Sequence, residues 1–210
     1  MITPPARSRT RGSGPLPRRA GFSAAELVAV VTIVAAVTAL VAPGLFELSA
    51  TQAMLSSASE VRSMLVLART FALTRGRYVG VKFRKNGSRY EWALYGDGNG
   101  NGIRTAEIAS GVDKSLGITI PWSRNDVLPA IMKGSPVPDP GDPRKVLDRL
   151  DDPIRFNESD ICSFSPLGES TPGSVYLWNG RDRMAVVRVF GRTAKVRTLY
   201  YRRGEKEWKQ

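Results

Sequence analysis

One loop of this 210-residue chain carries side chains that are typical of a calcium site. Asp97, Asn99 and Asn101 alternate with glycines, which is how an EF-hand-like calcium loop begins. Ile103 would offer its carbonyl oxygen, and Glu107 would supply a second carboxylate, although it stands one place earlier than in an EF-hand. The alternative is a glycine-rich connection whose Asp and Asn side chains close turns on their own backbone. At this point both interpretations are open.

The sequence contains few of the residue types on which enzymatic catalysis usually depends. The chain has no histidine, which removes the serine–histidine triad, histidine general bases and histidine-ligated zinc. Its single cysteine, Cys162, cannot form an intramolecular disulfide. The flanking residues Ile161–Phe164 are strand-like and apolar, which predicts a buried and unreactive thiol. We therefore expect no enzymatic activity and no required cofactor.

Positive charge is concentrated at the C-terminus. The chain carries a net charge of +12, and the residues after Gly180 hold ten basic and three acidic side chains. The predicted anionic-partner patch consists of Arg192, Lys195, Arg197, Arg202 and Arg203. It would bind DNA phosphates, anionic lipid or an acidic partner subunit. The alternative is an edge strand that charge protects from unwanted pairing.

The N-terminal region combines a basic segment, one carboxylate and a long uncharged run. Leu27–Phe46 contains no charged residue, and twenty apolar residues are enough to span a membrane as a helix. Five arginines and no acidic residue precede Gly21, so the positive-inside rule places the following domain across the membrane from the cytoplasm. Glu26 would either pair with a cation or extend to the headgroup region. An ordinary secretory signal that is cut near Ala39 or Ala42 is the competing interpretation.

Gly21-Phe22-Ser23-Ala24-Ala25-Glu26 and the apolar run behind it resemble the class III signal of type IV pilins and type II secretion pseudopilins. The resemblance implies that a prepilin peptidase cuts between Gly21 and Phe22 and methylates the new N-terminus at Phe22. It implies that Glu26, fifth after the cut, directs assembly by pairing with the N-terminal amine of a neighbouring subunit. It also implies a helix kink at Pro43.

The later sequence is most similar to the minor pseudopilin H and FimT-type family. That resemblance rests on Phe164–Gly168, Gly173–Leu177 and Gly191-Arg192 before a last strand. It implies a minor pseudopilin of the type II secretion system, held in the bacterial inner membrane until it joins a periplasmic pseudopilus with other pseudopilins. The alternative is a minor type IV pilin that binds DNA during natural transformation.

The predicted fold is α+β, with a long N-terminal helix packed on antiparallel β-sheet. An amphipathic stripe ends before Gly76 and predicts that the helix continues past the membrane; its members are Met54, Ala58, Val61, Leu65, Ala68 and Ala72. Alternation predicts strands at 79–83 and 90–94, joined by a hairpin at Asn86-Gly87. Weaker patterns predict strands at Glu107–Val112 and Leu116–Ile120.

The predicted domains are a cleaved basic leader over residues 1–21, a transmembrane or filament-core helix over 22–46 and a periplasmic domain over 47–210. Residues 121–152 contain six prolines and predict a polar insertion that faces a partner or is mobile, with at most one short helix near Arg144–Leu150. Later strands are predicted at 154–156, 161–164, 175–178, 185–190 and 194–201.

Overall fold

The computed structural model describes residues 21, 23–87 and 89–210. Helix α1 covers Ala24–Arg75, and the short helix α2 covers Thr105–Ser110. The strands are β1 (Val79–Asn86), β2 (Arg89–Gly96), β3 (Lys114–Pro121), β4 (Leu128–Pro129), β5 (Ile154–Arg155), β6 (Ile161–Phe164), β7 (Gly173–Trp178), β8 (Arg183–Phe190) and β9 (Lys195–Arg202). The protein is therefore α+β, as its sequence predicts.

Helix α1 ends where the sequence predicts. Gly76 follows its last residue with a φ of +63°, a left-handed conformation that glycine adopts without steric cost. The helix continues through Pro43 and Gly44, so the proline does not end it, and the kink expected there stays a prediction. The chain divides into two compact units after Leu45, and the second unit, Phe46–Gln210, contains all the strands.

The predicted stripe of α1 forms the helical side of the main core in this second unit. Met54, Ala58, Val61, Leu65, Ala68 and Ala72 are all buried and belong to one hydrophobic cluster with strand residues. Burial of one helical face supplies stability that helix propensity alone does not provide. The prediction of a helix packed on antiparallel sheet is confirmed.

The strands form two antiparallel sheets. Sheet A has the order β3-β2-β1-β6 and sheet B the order β4-β7-β8-β9, with β5 also paired to β7. The hairpin predicted at Asn86-Gly87 is confirmed, because β1 and β2 pair from Asn86↔Arg89 to Val79↔Gly96. Alternate residues of both sheets, including Val81, Leu94 and Val187, join the core under α1.

Sheet B is covered on its second face by residues that sequence reasoning assigned to a polar insertion. Ile131, Met132, Val137 and Leu147 are buried against Tyr176, Met184, Val186 and Tyr201 of the sheet. Two further residues of the segment, Trp122 and Val127, belong to the main core. The segment is a packed layer, so the prediction that it is mobile is wrong, whereas the prediction that it faces a partner stays a prediction. Residues 144–150 form no helix in the described structure.

The strand predicted at Glu107–Val112 is also wrong. Residues Thr105–Ser110 form α2, and Gly111 ends that helix with a φ of +78° while its N–H bonds to the carbonyl of Ile108. No side chain of these six residues is completely buried. The segment therefore lacks the regular repeat of buried apolar positions from which a helix could have been predicted. The remaining strand predictions are confirmed within two residues at each end, except that β1 ends at Asn86, three residues later than predicted.

Candidate functional site

The signal-like segment leads directly into α1. Ser23 and Glu26 form reciprocal hydrogen bonds: the Ser23 N–H donates to Glu26 Oε2 at 2.8 Å, and the Glu26 N–H donates to Ser23 Oγ at 3.2 Å. This is a capping box, which satisfies two backbone donors that the first turn leaves free. Ser-x-x-Glu was readable in the sequence, and sequence reasoning missed that Glu26 caps its own helix.

Gly21 is exposed, and a Cβ atom added to it would meet no atom of the described residues within 4 Å. Any requirement for a small residue at this position therefore comes from outside the chain's own fold. Phe22, which the resemblance assigns to cleavage and N-methylation, lies outside the described residues, as does most of the predicted leader.

The first half of α1 presents a wide apolar surface. Most of the described large apolar side chains between Leu27 and Leu48 are about half exposed or more, and Leu40 reaches 82%. In the described part of the chain, α1 is the one helix long and apolar enough to cross a membrane. Exposed apolar patches of this extent indicate contact with lipid or with another protein.

Glu47 forms an ion-pair cluster that sequence reasoning missed. Its Oε1 lies 2.8 Å from the Arg183 guanidinium and 3.0 Å from that of Arg202. Asp182 completes the group, 3.3 Å from Arg202. These contacts join the beginning of the second unit's helix to β8 and β9, a pairing over more than a hundred residues that no local pattern predicts.

The loop after β2 is held together by two buried carboxylates. Asp97, which is 5% exposed, accepts hydrogen bonds from the N–H groups of Asn99, Gly100 and Gly102 at 2.7–2.9 Å. Burial alone would raise the pKa of Asp97, but these backbone donors lower it below its ordinary value. Asp113, 1% exposed, accepts from the backbone of Gly98 and Arg104 in the same loop.

These bonds are the ones that the turn interpretation of the loop requires. Asn99 Oδ1 accepts from the N–H of Asn101, and the side-chain amide of Asn101 donates to Glu107 Oε1 at 2.8 Å. Ile103 is buried with Ala93 and Tyr95. Within the described ranges, no three acidic or cysteine side chains converge as a metal site would require. The calcium site stays a prediction; Asp97, Asn99 and Glu107, three of its five proposed ligand residues, already accept hydrogen bonds from the protein.

The predicted anionic-partner patch is exposed, but its members differ in their surroundings. Arg202 is held by Glu47 and Asp182, and the Arg203 guanidinium donates to the carbonyl of Arg181 at 2.9 Å. Arg192, Lys195 and Arg197 take part in no ion pair among the described residues. Arg203 also forms no ion pair, so among the described residues Arg202 is the one member of the patch whose charge carboxylates compensate.

Arg188 belongs with Arg192, Lys195 and Arg197, although sequence reasoning did not include it in the patch. It stands directly opposite Arg197 across β8 and β9, and Phe190 stands opposite Lys195. Both guanidinium groups lie over the Phe190 ring, 5.7 Å and 5.6 Å from its centroid. Arg188 likewise has no ion-pair partner in the described structure. Like charges directly opposite each other destabilise a strand pair, so a ligand anion would relieve this repulsion.

Cys162 is fully buried in β6, and burial raises the pKa of its thiol well above the ordinary value. The prediction of a buried thiol is confirmed, and a protonated, inaccessible sulfur is a poor nucleophile.

Comparisons of the chain with family models, with curated proteins and with solved structures find no match. Function must therefore be inferred from the residues of this chain.

Proposed function

We propose that the chain is a minor pseudopilin of the type II secretion system, a structural subunit that assembles into a periplasmic pseudopilus. The observation that carries this proposal is the order of features along one helix. Glu26 lies in its first turn, an uncharged exposed surface follows, and a buried stripe from Met54 to Ala72 packs on antiparallel strands. This order of features supports the proposal, because the first half of the helix suits lipid or a filament core and the second half packs on a folded domain.

The proposed location is the bacterial inner membrane, with one span and the second unit in the periplasm. The apolar side chains between Leu27 and Leu48 are costly to expose to water and would be stabilised in the hydrocarbon core. The basic leader would remain on the cytoplasmic side until cleavage. The partners are the prepilin peptidase, the inner membrane and other pseudopilins or pilins.

Glu26 would change partners as assembly proceeds. A charge at the centre of a membrane helix costs roughly 2.5–3.5 kcal/mol on insertion scales, so an ionised carboxylate there needs a cation. In the uncut chain Glu26 accepts from the Ser23 backbone. After cleavage, the new amine at Phe22 of an adjacent subunit would supply a full positive charge. Pairing between subunits would then fix their axial register in the filament.

Processing tests this proposal. The wild-type chain and a Gly21→Val variant are expressed with a prepilin peptidase, and the N-terminus of each membrane-bound product is determined by mass spectrometry. We expect the wild type to begin with N-methylated Phe22 and the variant to remain uncut, while Gly21→Ala, which keeps a small residue, serves as the control. Cleavage of Gly21→Val before Phe22, or a wild-type cut near Ala39 or Ala42, would contradict the proposal.

A second candidate function is DNA binding by a minor type IV pilin during natural transformation. The uncompensated charges of Arg192, Lys195 and Arg197 favour it, because phosphate contacts supply most non-specific affinity for DNA. Binding would show little sequence preference, since backbone contacts carry no base information.

Titration of the full chain in detergent with duplex DNA at several salt concentrations tests this candidate. The log–log slope should be about −0.9 for each phosphate neutralised. Replacing Arg192, Lys195 and Arg197 with Gln should weaken binding and flatten the slope. The control variant replaces the exposed Arg77, Arg89 and Lys114 with Gln and removes the same charge elsewhere. Equal loss in both variants would indicate general cationic attraction and would leave no role in DNA uptake.

A further inference from the structure

A groove runs along the outer edge of β9. Leu55, Ser59 and Arg62 of α1 form one wall, and residues 195–198 of β9 form the other. Gln210 lies at one end, and the enclosed volume is about 610 Å³. Leu55 is 38% exposed, so apolar surface lies within reach of the groove. Among the described residues, no acidic side chain lines it.

The backbone of β9 is available on this edge. At the end of the strand, Tyr200 exchanges two hydrogen bonds with Lys209, at 2.7 and 2.9 Å, on the side away from β8. Because backbone groups alternate between the two sides of a strand, the N–H and C=O of Val196 and Thr198 point to the same outer side. In the described part of the protein, no other backbone group bonds to them there. Four hydrogen-bonding groups therefore face the groove.

The charges around the edge select the kind of chain that could pair with it. Lys195 and Arg197 lie on the face of sheet B away from α1, whereas Arg62 lies on the helix side of the groove. Residues that stand opposite each other on two paired strands project from the same face of the sheet. Residues of an added strand that stand opposite Lys195 and Arg197 would therefore lie beside these positive charges. On its other side Arg197 faces Arg188, a like charge. Carboxylates on an added strand would supply the counter-charge that β8 does not.

We infer that the edge of β9 from Lys195 to Leu199 binds an extended acidic segment of another protein by strand addition, with acidic residues opposite Lys195 and Arg197. Main-chain hydrogen bonds to Val196 and Thr198 would provide affinity, and alternate acidic side chains would provide specificity. This inference goes beyond the proposed filament role and does not depend on it, because peptide binding is measured on the isolated chain.

The test uses a fluorescent hexapeptide of alternating Val and Glu and the full chain in detergent. Anisotropy measures binding, and hydrogen exchange measures protection of the Val196 and Thr198 amides. The decisive variant is Thr198→Pro, which removes one outward N–H and leaves the bonds to β8 in place, since proline is tolerated at strand edges on the solvent side. Its matched control, Thr198→Val, keeps the N–H. We expect about tenfold weaker binding for proline, because one acceptor of the peptide loses its partner.

Charge is tested separately, so that a folding defect in the proline variant cannot decide the outcome. The double variant Lys195→Glu, Arg197→Glu should lose the Val-Glu peptide and gain affinity for a Val-Lys peptide of the same length. Equal binding by Thr198→Pro and Thr198→Val, with both folded by circular dichroism, would overturn strand addition and leave attraction for any polyanion, DNA included. Concentration-dependent protection of Val196 and Thr198 without peptide would also overturn the inference, because a second copy of the chain would then occupy the edge.

Discussion

The packing of α1 on the two sheets can be tested by comparing two leucines of the same helix. Leu65 is fully buried in the main core, whereas Leu73 is 47% exposed. Changing either residue to Ala removes the same atoms and has the same effect on helix propensity. Any difference in stability between the two variants therefore reports burial alone.

Leu65→Ala should destabilise the second unit by roughly 3–5 kcal/mol, because a fully buried leucine loses its transfer free energy and leaves a cavity. For a domain of this size each kcal/mol lowers Tm by about 2–4 °C, so a fall of roughly 6–20 °C is expected. Leu73→Ala should cost within about 0.5 kcal/mol, the usual range for surface changes.

The measurement is urea unfolding of the full chain in detergent, followed by tryptophan fluorescence. Trp92 and Trp122 are 2% and 7% exposed within the same core, so their emission reports loss of that core. A cost below about 1 kcal/mol for Leu65→Ala, or equal costs for the two variants, would refute the packing of this helical face on the sheets.

Four further predictions concern the carboxylates of Glu26, Asp97 and Glu47. Glu26→Ala should leave processing and membrane insertion intact but prevent co-purification with other pilin-like subunits; recovery at the wild-type level would contradict its assembly role. The pKa of Asp97 is lowered in the folded protein, so its hydrogen bonds stabilise the fold fully above the ordinary value of 3.8, and this stabilisation is lost as pH falls through the lowered pKa. Between about pH 5 and pH 2, the range in which Asp side chains titrate, Tm should fall less steeply for Asp97→Asn than for the wild type. Millimolar calcium should leave Tm unchanged because those oxygens already accept hydrogen bonds, and a rise that Asp97→Ala abolishes would restore the calcium hypothesis. Glu47→Gln should lower the free energy of unfolding by less than about 1 kcal/mol, since the Glu47 side chain is 53% exposed, and the loss should be smaller in 1 M salt. A loss of stability that does not depend on salt would contradict an electrostatic role.

Helix α1 and the β1–β2 hairpin could be predicted because their signals are local. The stripe from Met54 to Ala72 repeats at helical spacing, and Asn86-Gly87 is a strong turn signal. The division of the strands into two sheets could not be predicted, because it depends on the pairing of β1 with β6, which lie more than seventy residues apart in the sequence.

The layer on the outer face of sheet B escaped prediction for a different reason. Its buried residues, among them Ile131, Val137 and Leu147, are separated by prolines and follow neither helical nor strand spacing. They bury apolar surface without regular hydrogen bonding, so composition alone indicated a loop. At the candidate sites, the alternation of residues along the last strand predicted that the C-terminal charges are exposed. The pairing of Arg202 with Glu47 could not be predicted, because it depends on the tertiary fold.

Burial of Cys162 makes the chain well suited to site-directed labelling. The sequence contains no other cysteine, and this one is inaccessible and protonated in the folded state. A thiol introduced at an exposed position such as Thr193, beside β9, would therefore be the single group that maleimides or bifunctional cross-linkers reach. Neighbouring proteins could be cross-linked in intact cells without first replacing a native cysteine, and the unsubstituted chain would serve as the negative control.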